Sequence, residues 1–150
     1  DDGQATKDLE KADITLVGVS RTSKTPTSLY LANRGYRVAN VPLMRDIPVP
    51  PTLHEQNRAI VVGLTLHPDR LAEIRRHRLR EFKVGAANEY VDYEAIHEEV
   101  RHVERIIRDN GWPLLDVTRR SIEETAAAVL DIASKKGLRA TVGERLHTKK

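Results

Sequence analysis

The sequence predicts an α/β domain built on a mainly parallel sheet of about four strands with right-handed crossovers. Three observations predict it. Short apolar runs alternate with helix-length segments along the chain. The runs DITLV (13–17) and AIVVGL (59–64) are mainly apolar and rich in β-branched residues, as strands buried on both faces are. Proline, glycine and capping signals stand where those helices should start and stop.

The first strand, 13–17, ends at Gly18 and leads into the loop GVSRTSKT (18–25). Pro26 suits the first turn of a helix because its missing N–H has no partner there, residues 27–33 continue the helix, and Gly35 stops it. Residues 36–41 (YRVANV) read as a second strand. Pro42, Pro48, Pro50 and Pro51 then forbid a central strand or helix, and 44–57 is expected to be a rigid loop. The strand at 59–64 is followed by a helix from Pro68 to about 80 with Leu71, Ile74 and Leu79 inward. After a loop at 83–89, Ile96, Val100, Val103 and Ile107 mark the buried face of a helix over 93–109, closed by Gly111. Residues 113–117 (PLLDV) form a fourth strand. Ser121 and Glu124 make the S-x-x-E capping box of a last helix reaching about 133. The expected organisation is one domain over 1–134 and a basic, mobile tail over 135–150.

Composition narrows the chemistry. The 150 residues contain no cysteine, which excludes disulfides, thiolate metal sites and a cysteine nucleophile. No apolar run approaches the roughly 18 residues of a membrane span, and the N-terminus DDGQATKDLEK is polar, so a soluble, cytoplasmic protein without a membrane partner is expected. Since the first residue is Asp and not Met, the chain is expected to be part of a longer one. With 25 basic and 22 acidic residues the net charge is +3, so an anion site must be built locally.

The loop supplies such a site. Backbone N–H groups of a strand-to-helix loop converge on phosphate, the helix N-terminus adds positive dipole, a lysine meets terminal phosphates, and a Ser or Thr hydroxyl ligates magnesium. Gly18, Val19, Ser20, Arg21, Thr22, Ser23, Lys24 and Thr25 fit the pattern G-x-x-x-x-S-K-T, with Lys24 toward phosphate and Thr25 toward Mg2+. Ser23 replaces the usual second glycine. It can do so if its backbone avoids φ > 0 or tolerates roughly 1 kcal/mol of strain.

Other candidates are less patterned. Asp1 and Asp2 could act as general base or acid toward a hydroxyl or phosphate. Arg75 and Arg78, near one face of the basic helix run IRRHRLR (74–80), could cover a transferring phosphoryl, whereas such runs are ordinarily solvated. Asp116 could anchor a magnesium-bound water or simply shape a turn. Asp92 reads as a helix start, and Asn40 lies near the end of the second strand, where it could face the ligand crevice. His97 and His102 are five apart, on different helix faces, which disfavours a zinc site. Only six aromatics occur, none within the basic run, so nucleic acid is not an expected partner.

The segments GVSRTSKTPTSLYLANRGYRVANVPL (18–43), NEYVD (88–92) and WPLLDVTRRSIEETAAAVL (112–130) closely resemble the bacterial pyruvate, phosphate dikinase regulatory proteins, over residues 1 to about 130. The resemblance implies a P-loop kinase-like three-layer domain in which Ser-Lys-Thr-Pro is a common form of the loop. It implies a bifunctional serine/threonine kinase and phosphorylase: ADP donates a phosphoryl group to a threonine of the dikinase, and inorganic phosphate removes it, releasing pyrophosphate. It also implies a homodimer and a region ahead of this one, with Asp1-Asp2-Gly3 ending a His-Asp-Asp-Gly motif. A sister family acts on phosphoenolpyruvate synthase and more often carries glycine before the lysine, so Ser23 favours the dikinase. Two other functions fit the loop: a small-molecule kinase of the shikimate or nucleoside type, and a nucleotide-binding module without catalysis.

Overall fold

The computed structural model describes residues 12–20, 22–44, 49, 59–81 and 92–137, with the side chains of 78–81 outside that description. Along them run β1 (Ile14–Gly18), α1 (Lys24–Ala32), β2 (Val38–Pro42), β3 (Ile60–Thr65), α2 (Pro68–Glu81), α3 (Tyr93–Asp109), β4 (Leu114–Asp116) and α4 (Ile122–Lys135). The strands pair in the order β2-β1-β3-β4, every pairing parallel. Helix α1 packs against α4 and α2 against α3, so the sheet lies between helical layers in the three-layer arrangement of P-loop kinases.

The burial of each strand follows from its place. β1 has neighbours on both sides and helices over its faces, so all five of its residues are buried. β2 is an edge strand with alternating burial. That position admits Pro42 as its last residue, one beyond the expected strand: a strand end at a sheet edge loses little by lacking an N–H. β2 begins at Val38 and not 36, because the Tyr36 N–H is still bonded to Leu31 O at the end of α1, 3.2 Å away. β3 runs on to Thr65, whose carbonyl accepts from Val117 N at 2.8 Å.

The predicted face of α3, Ile96, Val100, Val103 and Ile107, is the buried one. It seats on β3 at Gly63, where a Cβ would stand 2.7 Å from Ile107 Cδ1. Asp92 caps α3 by accepting from Ala95 N at 3.1 Å. The capping box of α4 closes in both directions, Glu124 N to Ser121 Oγ at 3.1 Å and Ser121 N to Glu124 Oε1 at 3.0 Å. Trp112 and Tyr36 pack at the core margin. Most of the proline-rich loop, the loop at 83–89 and the tail beyond 137 lie outside the described residues. Among the described residues no helix is long and apolar enough to cross a membrane.

Candidate functional site

β1 delivers Gly18 to the carboxyl edge of the sheet where the chain's route reverses, β2 lying on one side of β1 and β3 on the other. Open parallel sheets bind ligands at this crevice. A Cβ on Gly18 would stand 2.3 Å from Leu64 O, so only glycine lets β1 and β3 approach there. Beyond it, Val19 and Thr22 are buried, and Thr22 Oγ1 donates to Val19 O at 2.9 Å, a staple across the base of the loop.

Ser23 has φ 66 and ψ 24, the only left-handed non-glycine residue among those described. It therefore adopts the glycine-like conformation and carries the strain of roughly 1 kcal/mol. The consequence is local geometry. With the chain reversed at Ser23, α1 starts at Lys24, two residues before the expected Pro26, which becomes its third residue and still occupies the first turn. The Ser23 side chain makes no cap hydrogen bond. Among the described residues no acceptor meets the N–H groups of Lys24 or Thr25, and these donors stand at the positive end of α1.

Lys24 is buried, and its ammonium donates to Val19 O at 2.6 Å and to Thr22 Oγ1 at 3.2 Å. No carboxylate among the described residues pairs with it. Burial alone lowers it from its usual 10.5 to about 8. A desolvated cation with no counter-ion among the described residues, carried by the first residue of a helix, has the chemistry that an anion would neutralise.

A cavity of about 600 Å³ opens beside it, lined by Ser20, Ser23, Lys24 and Thr25 on the loop side and by Asn40, Pro42 and Ile74 opposite. That is within the size range of small-molecule sites. Asn40 thus faces the crevice and also braces the helix: its Nδ2 donates to Ser28 Oγ at 3.0 Å, and Ser28 Oγ donates to Thr25 O at 2.9 Å. Asn40 Oδ1 and Thr27 Oγ1 are buried and have no hydrogen-bond partner among the described residues.

Arg75 reaches the loop from α2. Its Nη2 lies 3.3 Å from Ser20 Oγ, and Glu99 of α3 holds the same guanidinium at 2.7 and 3.2 Å. Arg76 is directed elsewhere: its guanidinium lies over Tyr93, 5.3 Å from the ring centre, and also bonds the Tyr93 hydroxyl. Asp116 serves a turn, accepting from Thr118 N at 2.9 Å and from the Thr118 hydroxyl. It does not line the cavity, because β3 separates β4 from β1 by two strand spacings, about 10 Å. Arg21, Asp1 and Asp2 lie outside the described residues, as does the side chain of Arg78.

Among the described residues no cluster of three or more His, Asp or Glu could hold a metal by itself. The donor set fits magnesium in the other manner, since that ion is commonly held by one or two protein oxygens together with substrate phosphates and water. Thr25, exposed at the cavity, is the residue that would hold it. Sequence reasoning missed Glu99. Its only signal is a carboxylate beside the buried face of an amphipathic helix, and no spacing rule links it to an arginine 24 positions earlier.

Comparison with known proteins adds an independent finding. The model of the family described as Kinase/pyrophosphorylase matches residues 1–130. A relative in Erythrobacter litoralis is 52% identical over 97% of this chain and 52% of its own length. One in Rhizorhabdus wittichii is 53% identical over 91% of this chain and 50% of its own, and one in Caulobacter vibrioides is 52% identical over 89% and 42%. All three are provisionally named pyruvate, phosphate dikinase regulatory proteins. The chain spans about half the length of these relatives.

Proposed function

The chain belongs to the kinase/pyrophosphorylase family, and we propose that its Gly18 to Thr25 loop holds the phosphates of ADP, or inorganic phosphate, for reversible phosphorylation of a threonine on pyruvate, phosphate dikinase. The observation that carries this reading is the buried Lys24 ammonium, unmatched by any described carboxylate, at an open cavity and on a helix start whose first N–H groups meet no acceptor among the described residues. The names of the relatives point to the dikinase as partner.

In the forward direction the threonine oxygen bonds to the β-phosphorus of ADP while the bond from that phosphorus to its bridging oxygen breaks. AMP leaves, and the hydroxyl proton passes to a base, for which Asp1 and Asp2 are the candidates. In the reverse direction an oxygen of inorganic phosphate attacks the phosphothreonine phosphorus, the bond to the threonine oxygen breaks, and pyrophosphate leaves as that oxygen regains a proton. Both directions pass negative charge through a phosphoryl group held in one place, so one cradle serves both. Lys24 neutralises charge on the transferring group, the N–H groups of Lys24 and Thr25 orient its oxygens, and Arg75 approaches from the Ser20 side. Thr25 would hold magnesium together with substrate phosphates, and the ion would supply further charge neutralisation there.

The test is Lys24→Ala, expected to abolish binding of ADP and phosphate and, in the full-length protein, labelling of the dikinase from ADP carrying a labelled β-phosphate. Unchanged binding and labelling would remove the loop from the mechanism. Transfer from ATP but not ADP would favour a small-molecule kinase. A chain that binds ADP yet labels nothing, while a longer one labels the dikinase, would be the nucleotide-binding half of the enzyme.

A further inference from the structure

Arg75 does not approach the phosphate loop alone. Glu99 grips it through both oxygens, Oε1 to Nη2 at 2.7 Å and Oε2 to Nη1 at 3.2 Å, and the side chains of the pair are only 28% and 27% exposed. The two helices that carry them are fixed in the core: α2 by Leu71 and Ala72, α3 by Ile96 and Val100 on either side of Glu99. A fork-to-fork pair between two anchored helices sets the orientation of the guanidinium plane as well as its position. That orientation matters because the third contact of Arg75 is Ser20, a cavity-lining loop residue, and the preceding residue, Ile74, lines the same cavity. Glu99 and Ser20 together take three of the five guanidinium N–H groups, leaving two that no described residue takes.

We propose that Glu99 is a positioning residue that aims Arg75 at a phosphoryl oxygen bound beside Ser20. This deepens the phosphate-site reading and rests on it. Two opposite consequences of Glu99 can be separated. As a nearby negative charge it opposes an anion, so its neutralisation would tighten phosphate binding. As the clamp on a long flexible side chain it pre-organises the donor, so its removal weakens binding. The shared bidentate geometry makes the clamp the larger effect, since a mispointed arginine loses directional, charge-assisted bonds while the charge of Glu99 is already offset by the guanidinium it grips.

The experiment is calorimetric titration of this chain with inorganic phosphate, and separately with Mg2+-ADP, for the unmodified protein, Glu99→Gln, Arg75→Lys and the double variant. Each single substitution is expected to weaken phosphate binding by about tenfold, and the double variant by no more than either single one, because both remove one unit. Glu99→Asp keeps the charge but shortens the reach and is expected to weaken binding as well, which serves should Glu99→Gln not fold. A merely structural Glu99 would lower the melting temperature without this coupling to Arg75. Phosphate binding that is unchanged or tighter in Glu99→Gln, or losses that multiply in the double variant, would overturn the proposal. Failure of the unmodified chain to bind either ligand would instead overturn the phosphate-site reading on which it rests.

Discussion

At the scale of single residues, Ser23 and Lys24 each carry a cost to the folded chain. Ser23 holds φ 66, where a side chain is strained. Ser23→Gly is expected to raise stability by about 0.5–1 kcal/mol and Ser23→Val to lower it by at least about 1 kcal/mol, read from urea unfolding midpoints. Lys24 is depressed to about 8 by burial, so the unfolded chain binds more protons than the folded one between about 8 and 10.5. Stability is expected to rise with pH through that window and to be lowest, from this group, below it. Binding runs the other way. A bound phosphate raises the lysine's pKa again, so affinity for ADP should hold below about 8 and fall as pH rises beyond it, in calorimetry from pH 7 to 9.5. The nucleotide's own phosphate titrates near 6, outside this window. Replacing the buried charge, Lys24→Met, is expected to raise stability at pH 7 by about 1 kcal/mol while abolishing phosphate binding.

At the scale of elements, capping and helix seating carry the expectations. The Ser121 N–H, and then its hydroxyl, hold the Glu124 carboxyl below its ordinary 4.5, so this contact supports α4 above that value and is lost as pH falls through the lowered one. Ser121→Ala is expected to cost about 1 kcal/mol in chemical unfolding. At the β3–α3 seat, Gly63→Ala would force a methyl against Ile107. It is expected to cost about 1–3 kcal/mol, and Ile107→Val should recover part of that loss, a coupling that a double-mutant cycle would measure. The α3 face and the α4 cap were legible in the sequence because both depend on neighbours within one helix. The start of α1 was not: it depends on a left-handed residue at Ser23, and Pro26 fits a first turn equally well as its first or third residue.

At the scale of the molecule, the strand order creates the site. Because β2 and β3 flank β1 on opposite sides, the Gly18 loop opens into a crevice that Asn40 and Pro42 of β2 and Ile74 of α2 complete. Ligand that binds only the folded crevice must stabilise the whole domain. At one hundred times its dissociation constant, ADP is expected to add about 2.7 kcal/mol, seen as a rise in melting temperature that Lys24→Ala abolishes.

The sequence by itself determined the parallel α/β class, the four strands, the glycine at the end of β1 and the lysine and threonine that follow it, since these rest on local pattern and on spacing along one loop. Packing alone decided that Lys24 is desolvated and that Glu99 grips Arg75 above Ser20. Those outcomes depend on which distant surfaces the sheet order and helix packing bring together, and residues 24 to 79 positions apart leave no periodic trace in a single chain.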